Sequence, residues 1–352
     1  MNIVLLTSHA IAEYDDLRMF TDLGYSVFSI GGAYSETPFE GKRPALPNVV
    51  RYPELEAACV KTREAHLDPP GDRIDWAKAD LADDIIDWAD VIIVHHYPDM
   101  HPVPGGLAYP GWITGQWDRI KHKRVIWRTC GQSDPRLEAA MTPYVRDGLE
   151  VVRYSPRERP GFQRYGAFAG ETALIRFGKY PDDYGPWTGE TLEVINVSQG
   201  LFTRGEFTHP EFWTAATEGL PASAWGPESE TFGGGGTLDY RDMLRVLRQA
   251  RAYLYTGTQP ASYTLGLMEA ALSGVPVVSI TPEHQWLPEL FEGHEIAYAS
   301  ARTPADARAI ILDLLNDAYY ASVASSAQLS RALDLFDVAK VGAQWVDFLG
   351  AP

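Results

Sequence analysis

Short apolar runs alternate with amphipathic stretches along most of the chain. The first half contains the runs NIVLLT, YSVFSI, VVRY, DVIIVHH, RVIWRT, LEVVRYS and ALIRF, and the second half contains LEVINVS, RAYLYTG, VPVVSI and EIAYAS. In the second half, stretches such as YRDMLRVLRQA and PADARAIILDLLNDAYYASVA show apolar residues at helical spacing. Apolar strands that alternate with helices are typical of parallel sheets covered on both faces. The pattern therefore predicts an α/β protein.

This alternation occurs twice, with a break between the two series. The break is the segment KYPDDYGPWTGE, residues 179–190, which is rich in Pro, Gly and acidic residues. We expect two Rossmann-like domains, over residues 1–182 and 183–335, and a final amphipathic helix in 336–352 that packs back towards the first domain. The glycine run FGGGGT at 232–237 is expected to be a flexible connection, because no Gly-Lys-Ser/Thr follows it as in a phosphate-binding loop.

Composition narrows the class of protein. The chain has 352 residues, of which 45% are hydrophobic and 22% charged, as is typical of a soluble globular protein. No run approaches the roughly 18 apolar residues of a membrane span, and the start MNIVLLTSHA does not resemble a signal peptide. Cys59 and Cys130 are the only cysteines in the sequence. We therefore expect reduced thiols in a cytoplasmic protein without structural zinc.

The charge is unevenly distributed. The net charge of −17 argues against indiscriminate binding to nucleic acid or anionic membranes. Residues 119–179, however, contain 13 Lys and Arg against 6 Asp and Glu, a local net charge of +7, so the rest of the chain carries −24. Aromatic residues are interleaved with this basic stretch. A basic segment of this kind is compatible with phosphate contacts and base stacking.

The segment ASYTLGLMEAALSGVPVVS, residues 261–279, carries the strongest candidate chemistry. It follows the apolar run RAYLYTG and predicts a small-residue loop, a helix that starts near Tyr263 to Gly266, and a second buried strand. Backbone N–H groups at the start of such a helix can bind a diphosphate. Glu269, one turn further along, can accept hydrogen bonds from a ribose diol. The alternative is that Glu269 caps the helix or pairs locally, and the residues alone leave both interpretations open.

The ending EAALSGVPVV resembles the donor-site signature of the GT-B glycosyltransferases, in the large retaining family that includes sucrose and phosphatidylinositol-mannoside synthases. That signature has two glutamates eight positions apart. Glu269 corresponds to the second, which the family uses to bind the nucleotide ribose, whereas Ala261 replaces the first, which binds sugar hydroxyls. The resemblance implies a GT-B fold, two Rossmann-like domains facing a central cleft. It also implies a nucleotide-sugar donor, for which we expect a UDP sugar such as UDP-glucose.

Other segments extend this resemblance. SQGLFTRG, residues 198–205, is similar to a strand-loop of the family in which Arg204 takes the place of a phosphate-binding Lys and Gln199 replaces an Arg. The resemblance implies the donor-binding residues Glu269, Arg204, Gln199, Ser262, Tyr263, Thr264, Leu265 and Gly266. It also implies the catalytic residues His95, His96 and Arg204. No metal ion or other cofactor is expected, since the helix terminus and basic residues take that role in the family.

The first half supplies the expected acceptor site. VIWRTCGQ, residues 125–132, occupies the place of a family strand whose usual His is here Cys130, which leaves Arg128 and Gln132 to line the cleft. The segments FTDLGYSVFSIGG, WRTCGQS and VVRYSP also resemble short glycosyltransferase-like proteins of phage genomes, which would act in the host cytoplasm. The leading acceptor is therefore a 5-hydroxymethyl pyrimidine in DNA, flipped into the cleft, with phosphate contacts from Lys121, Lys123 and Arg124.

Three alternatives stay open. The protein could glycosylate an envelope glycan or a small molecule, or it could bind nucleotide sugars without catalysis, which the loss at Ala261 would permit. An epimerase or phosphorylase of the same architecture is the third.

Overall fold

The computed structural model describes most of the chain. The described residues are 1–7, 10–30, 43–46, 48–65, 81–95, 113, 115–130, 135–158, 163, 166–198, 200–257, 261–280 and 300–352. The chain divides into two compact units: unit 1 is Met1–Gly178 with Val341–Pro352, and unit 2 is Lys179–Lys340. Each unit contains one parallel sheet with helices, which confirms the predicted α/β class. The chain passes between the units at 178–179, against the expected 182–183, and again at 340–341.

Unit 1 is built on a sheet whose described strands are all parallel. The strands are β1 (Asn2–Leu6), β2 (Ser26–Ser29), β3 (Val91–His95), β4 (Arg124–Arg128), β5 (Glu150–Arg153) and β6 (Ala173–Leu174). The helices of its first segment are α1 (Ala10–Asp22), α2 (Pro53–Ala65), α3 (Asp83–Trp88), α4 (Trp117–Ile120) and α5 (Pro135–Arg146). The strand order is β2-β1-β3-β4-β5-β6.

The central strands of unit 1 are apolar throughout because both faces of the sheet are covered. Residues 3–6 of β1 and 91–94 of β3 are buried without interruption. The predicted strand VVRY at 49–52 is wrong: it has no regular structure, and α2 begins directly after it at Pro53. A β-rich run without a partner strand among the described residues does not form a ladder.

Unit 2 repeats the architecture. Its strands are β7 (Thr191–Val197), β8 (Ala222–Trp225), β9 (Ala250–Tyr255), β10 (Val277–Ile280) and β11 (Ser300–Ala301). Its α-helices are α6 (Pro210–Thr217), α7 (Tyr240–Gln249), α8 (Leu265–Leu272), α9 (Pro304–Asn316) and α10 (Ala318–Phe336). The order of the parallel strands is β11-β10-β9-β7-β8. Among the described residues, no helix is both long and apolar enough to cross a membrane.

Side-chain caps define the starts of several helices in unit 2. Asp239, Thr264, Thr303 and Asp317 each accept a hydrogen bond from the backbone N–H three residues later. Such caps satisfy a helix N–H that has no intrahelical acceptor. The cap at Asp317 also explains why the long amphipathic pattern of residues 304–324 forms two helices, α9 and α10, with the break at this residue.

The last helix, α11 (Val338–Leu349), belongs mainly to unit 1. Trp345 is fully buried and packs edge-on against Phe20 of α1, with ring centroids 5.1 Å apart. The Arg124 guanidinium donates to the carbonyl oxygens of Phe348 (3.0 Å) and Leu349 (3.2 Å). Aromatic packing and charged hydrogen bonds therefore hold the end of the chain on unit 1.

The glycine run after β8 is an ordered loop, so the expectation of a flexible connection is wrong. The N–H of Gly235 donates to the carbonyl oxygen of Ala224 (2.9 Å), and the carbonyl oxygen of Gly236 accepts from the N–H of Gly226 (2.8 Å). A Cβ on Gly235 would overlap the Trp225 ring. Glycine is needed here because the backbone lies directly against an indole face, which leaves no room for a side chain.

Candidate functional site

The predicted donor residues of unit 2 described by the structure lie after the carboxyl ends of β7 and β9. The two strands are parallel neighbours, so the segments that follow them leave the same edge of the sheet. Arg204 lies in the loop after β7, and α8 is capped by Thr264 after β9. The start of α8 lies close to the end of β7, since a Cβ on Gly266 would be 3.6 Å from the carbonyl oxygen of Val197.

The start of α8 presents unused hydrogen-bond donors. Thr264 Oγ1 accepts from the N–H of Leu267 (3.2 Å), and the Tyr255 hydroxyl accepts from the N–H of Thr264 (3.1 Å). Within the described part of the chain, the N–H groups of Leu265 and Gly266 have no acceptor. Free donors at the positive end of a helix suit an anion such as a phosphate.

The residues just before α8 are less accessible than its first turn. Ser262 is half-buried, whereas Tyr263 is buried and packs against Phe336 with ring centroids 5.7 Å apart. Ala261, which stands where the resemblance expects a sugar-binding glutamate, is 5% exposed. The buried ring of Tyr263 is therefore a poor contact for a donor. A donor at this position would contact the backbone or the half-buried Ser262.

Arg204 is a cation that is available to bind an anionic ligand. It follows a turn at Gly200, whose carbonyl oxygen accepts from the N–H groups of Thr203 and Arg204 and whose φ of +66° favours glycine. Its side chain is half-buried and has no hydrogen bond or ion pair among the described residues. In a chain with a net charge of −17, an arginine without an acidic partner is available for an anionic ligand.

Glu269 is paired, and its partner is distant in sequence. Its Oε1 lies 3.0 Å from Nζ of Lys179, the first residue of unit 2, and both side chains are buried. Tyr253 lies close enough for the carboxylate charge to raise the pKa of its phenol, although burial is the larger cause. Sequence reasoning missed Lys179, because no local pattern relates residues 90 positions apart.

In unit 1, the carboxyl ends of β3 and β4 hold a buried charged cluster. His95 Nε2 lies 3.1 Å from Asp16 Oδ2, and Arg128 Nε lies 2.7 Å from the same oxygen. None of the three residues is more than 1% exposed. Asp16 was not predicted; it comes from α1, 112 residues before Arg128. The cluster joins α1 to two neighbouring strands.

Arg128 is enclosed on all sides by unit 1. Its guanidinium carbon lies 4.3 Å from the centroid of Phe177 and 4.8 Å from that of Trp345. Its two Nη atoms donate to the carbonyl oxygens of Ile175 (3.4 Å) and Arg176 (3.2 Å). This enclosure favours a structural role for Arg128 over the acceptor contact that the sequence predicts.

A second buried cluster lies between the ends of β4 and β5. Glu138 receives a two-pronged ion pair from Arg153, at 2.6 and 2.7 Å. Glu158 Oε2 accepts from Thr129 Oγ1 (2.7 Å), while its Oε1 has no hydrogen bond among the described residues and lies 3.9 Å from Arg153. Burial raises the pKa of Glu158 to about 7, with Arg153 acting in the opposite direction.

Cys130 stands where the resemblance expects a histidine. Burial raises the pKa of its thiol to about 12. The thiol is therefore protonated at neutral pH and is a poor replacement for a histidine in proton transfer or nucleophilic attack.

Several cations of the basic stretch, residues 119–179, are paired with acidic side chains. Arg124 makes a two-pronged ion pair with Glu150, at 2.8 and 2.9 Å, and Lys121 pairs with Asp118 at 2.6 Å. Lys123 donates to the carbonyl oxygen of Asp87 (3.2 Å). Cations held in such contacts are less available for an open phosphate-binding face, which weakens the argument from local charge.

The remaining predicted residues, His96, Gln132 and Gln199, lie outside the described residues. Within the described ranges, His, Cys, Asp and Glu form no group of three that could hold a metal ion.

The architecture of the two units defines the fold class. Two Rossmann-like units along one chain give the GT-B glycosyltransferase fold, as the sequence resemblance predicts, and solved structures confirm it. HepE of Anabaena, determined in complex with UDP-glucose, matches with a TM-score of 0.66 and 13% identity over 100% of both chains.

Two further structures share the fold. A glycosyltransferase of Rickettsia africae matches with a TM-score of 0.62 and 11% identity over 99% of this chain and 97% of its own. The β-glucosyltransferase of T4 phage, in complex with UDP and Mn²⁺, matches with a TM-score of 0.57 and 12% identity over 99% of this chain and 100% of its own. No protein-family model and no curated protein sequence matches the chain.

Proposed function

We propose that this protein is a glycosyltransferase that uses a nucleotide sugar, UDP-glucose or a related UDP sugar, to modify a hydroxyl acceptor. One observation carries the proposal: within the described residues, the segments that follow β7 and β9 at the carboxyl edge of the unit 2 sheet hold hydrogen-bond donors without an acceptor. These donors are the guanidinium of Arg204 and the N–H groups of Leu265 and Gly266. Leaving diphosphates need such donors, because negative charge develops on them in the transition state.

The donor diphosphate binds at the first turn of α8. Leu265 and Gly266 donate through the backbone, with Ser262, Tyr263 and Thr264 lining the approach. Arg204 binds the phosphate oxygens, for which a planar guanidinium is well suited. Glu269 accepts hydrogen bonds from the ribose, as in the family that the sequence resembles. HepE and the T4 phage enzyme support a uridine nucleotide, since each binds UDP or UDP-glucose within the same fold.

Transfer proceeds with retention at the sugar carbon and without a metal ion. Retention follows from the sequence resemblance, and the charge of Arg204 together with the positive end of α8 supplies what a metal would contribute. The Mn²⁺ in the T4 phage complex makes this a point to test. Activity that is lost with EDTA and restored by Mn²⁺ would contradict metal-independent transfer.

The acceptor is a hydroxyl compound, with two candidates. A 5-hydroxymethyl pyrimidine in DNA is the candidate from the sequence, and the net charge of +7 in residues 119–179 supports it. The pairing of Lys121 and Arg124 with acidic residues favours the second candidate, a glycan or small molecule. Mass spectrometry of nucleosides from treated DNA distinguishes them, since only the first candidate adds a sugar mass to a nucleoside.

A non-catalytic nucleotide-sugar-binding protein is the alternative that Ala261 favours, because the residue leaves no carboxylate for the sugar. The test uses a panel of nucleotide sugars in thermal unfolding, since a bound donor raises stability by mass action. Stabilisation by UDP-glucose followed by release of UDP supports the enzyme. Stabilisation without turnover, over a broad panel of acceptors, supports the binding protein, and no stabilisation by any nucleotide sugar rejects both.

A further inference from the structure

The ion pair between Lys179 and Glu269 lies next to the proposed donor site. Glu269 lies in the second turn of α8, one turn after the donor-binding N-terminus. Lys179 Nζ lies 3.0 Å from Glu269 Oε1, with the two side chains 2% and 4% exposed. Tyr253 also lies near the carboxylate: burial is the largest cause that raises the pKa of its phenol, and the charge of Glu269 raises it further.

The backbone of Lys179 is held firmly. Its N–H donates to the carbonyl oxygen of Phe336 (2.7 Å), and its carbonyl oxygen accepts from the N–H of Val338 (2.9 Å). Lys179 also forms an isolated parallel bridge with Asp337, at the junction of α10 and α11. Lys179 is therefore anchored outside α8 through its backbone, and its buried ammonium group contacts the Glu269 carboxylate from a separate segment of the chain.

A buried ion pair is weak evidence for a purely structural role. Replacement of such a pair by well-packed apolar residues is often neutral or stabilising, and the rest of α8 shows that apolar residues suit this interior, since Leu267, Met268 and Leu272 are all buried. Within α8, Glu269 is the charged residue among the consecutive buried positions 267–272. A carboxylate that must accept hydrogen bonds from hydroxyl groups has to be ionised and oriented, and a fixed ammonium achieves both.

We infer that Lys179 is a positioning residue for the donor nucleotide: it holds the Glu269 carboxylate in the orientation that binds the ribose diol. This inference rests on the proposed function, in which Glu269 contacts the ribose. It adds a residue, Lys179, that acts on the nucleotide through another side chain. The expected consequence is discrimination between a ribose and a sugar without hydroxyl groups.

The experiment compares the Kd of UDP with that of 2′,3′-dideoxyuridine diphosphate by calorimetry. The wild type should prefer UDP at least about tenfold, the value of a charge-assisted hydrogen bond. Lys179→Met removes the ammonium with little change in side-chain length, and its preference should fall below about threefold. Lys340→Met is the matched control, because it breaks the exposed pair with Asp334 (2.7 Å) near the same junction and should keep the wild-type preference.

The ratio of the two Kd values separates positioning from general damage. A purely structural role would weaken both ligands equally in Lys179→Met, and an unchanged ratio would overturn the inference. If Lys179→Met does not fold, Lys179→Gln replaces it, since Gln keeps a hydrogen-bond donor for Glu269 without the charge. The preference of Lys179→Gln for UDP over the dideoxy ligand should be at least about threefold smaller than that of the wild type. An unchanged ratio of the two Kd values again overturns the inference. A wild type that binds UDP without preferring ribose contradicts the inference and the proposed contact between Glu269 and the ribose, but leaves the diphosphate site in place. A wild type that binds neither ligand contradicts the proposed function as a whole.

Discussion

Replacement of Glu158 by Gln is expected to remove a pH dependence from the stability of the protein. Burial raises the pKa of this carboxyl from 4.5 to about 7. An acid whose pKa is higher in the folded state binds its proton more tightly there, so stability falls as the pH rises from about 4.5 through about 7. At about 1.4 kcal/mol per pKa unit, the shift corresponds to about 3 kcal/mol. Gln keeps an acceptor for Thr129 and for the N–H of Tyr154 but has no proton to release.

The assay is denaturant unfolding at pH 5, 6, 7 and 8 for the wild type, Glu158→Gln and the exposed control Glu54→Gln. The free energy of unfolding of the wild type should fall relative to that of Glu158→Gln by about 3 kcal/mol over the full range of titration, with most of the change between pH 5 and pH 7. Glu54→Gln should follow the wild type. Parallel pH profiles for the wild type and Glu158→Gln would refute the argument that burial makes Glu158 titrate near neutrality.

Three further predictions concern unit 2. Arg204→Ala should weaken UDP binding about 10- to 150-fold, because charged hydrogen bonds contribute about 1.5–3 kcal/mol, and it should also lower kcat. Arg241→Ala, at an exposed position on α7, serves as the control. Equal effects of both variants in calorimetry and kinetics would contradict the phosphate role. Glu269→Gln should lower the free energy of unfolding by about 3–5 kcal/mol, because it leaves Lys179 buried without its counter-charge; a midpoint in urea equal to that of the wild type would show that the pair contributes nothing. Gly235→Ala should cost about 1–3 kcal/mol through overlap with Trp225, and thermal unfolding that is unchanged would show that the loop moves away freely.

The fold was predictable because its signal is local. The segments NIVLLT and DVIIVHH contain uninterrupted apolar runs, residues 3–6 and 91–94. Such runs are typical of a strand covered on both faces and can be recognised without knowledge of distant residues. The break at residues 179–190 was visible for the same reason, as a short change in composition. The start of α8 was predictable too, because a small-residue loop precedes it in the sequence. Thr264 of that loop caps the helix.

The parts that could not be predicted depend on distant residues. Asp16 and Lys179 complete the clusters around His95 and Glu269, but no pattern in the sequence relates residues that are far apart in the chain. Four consecutive glycines indicate freedom of the backbone, yet the loop is ordered because it packs against Trp225. Arg124 was assigned to an acceptor surface by charge and Arg128 by the resemblance, whereas the folded chain gives each of them an acidic partner.

The most direct test of the account is calorimetric titration of the protein with UDP-glucose, followed by measurement of UDP release. We expect saturable binding of one UDP-glucose per chain, competition by UDP, and slow release of UDP that an acceptor accelerates. We also expect that Arg204→Ala reduces both binding and release. Absence of binding to UDP-glucose and to UDP, in a protein whose unfolding remains cooperative, would contradict the claim that the carboxyl edge of the unit 2 sheet is a nucleotide-sugar site.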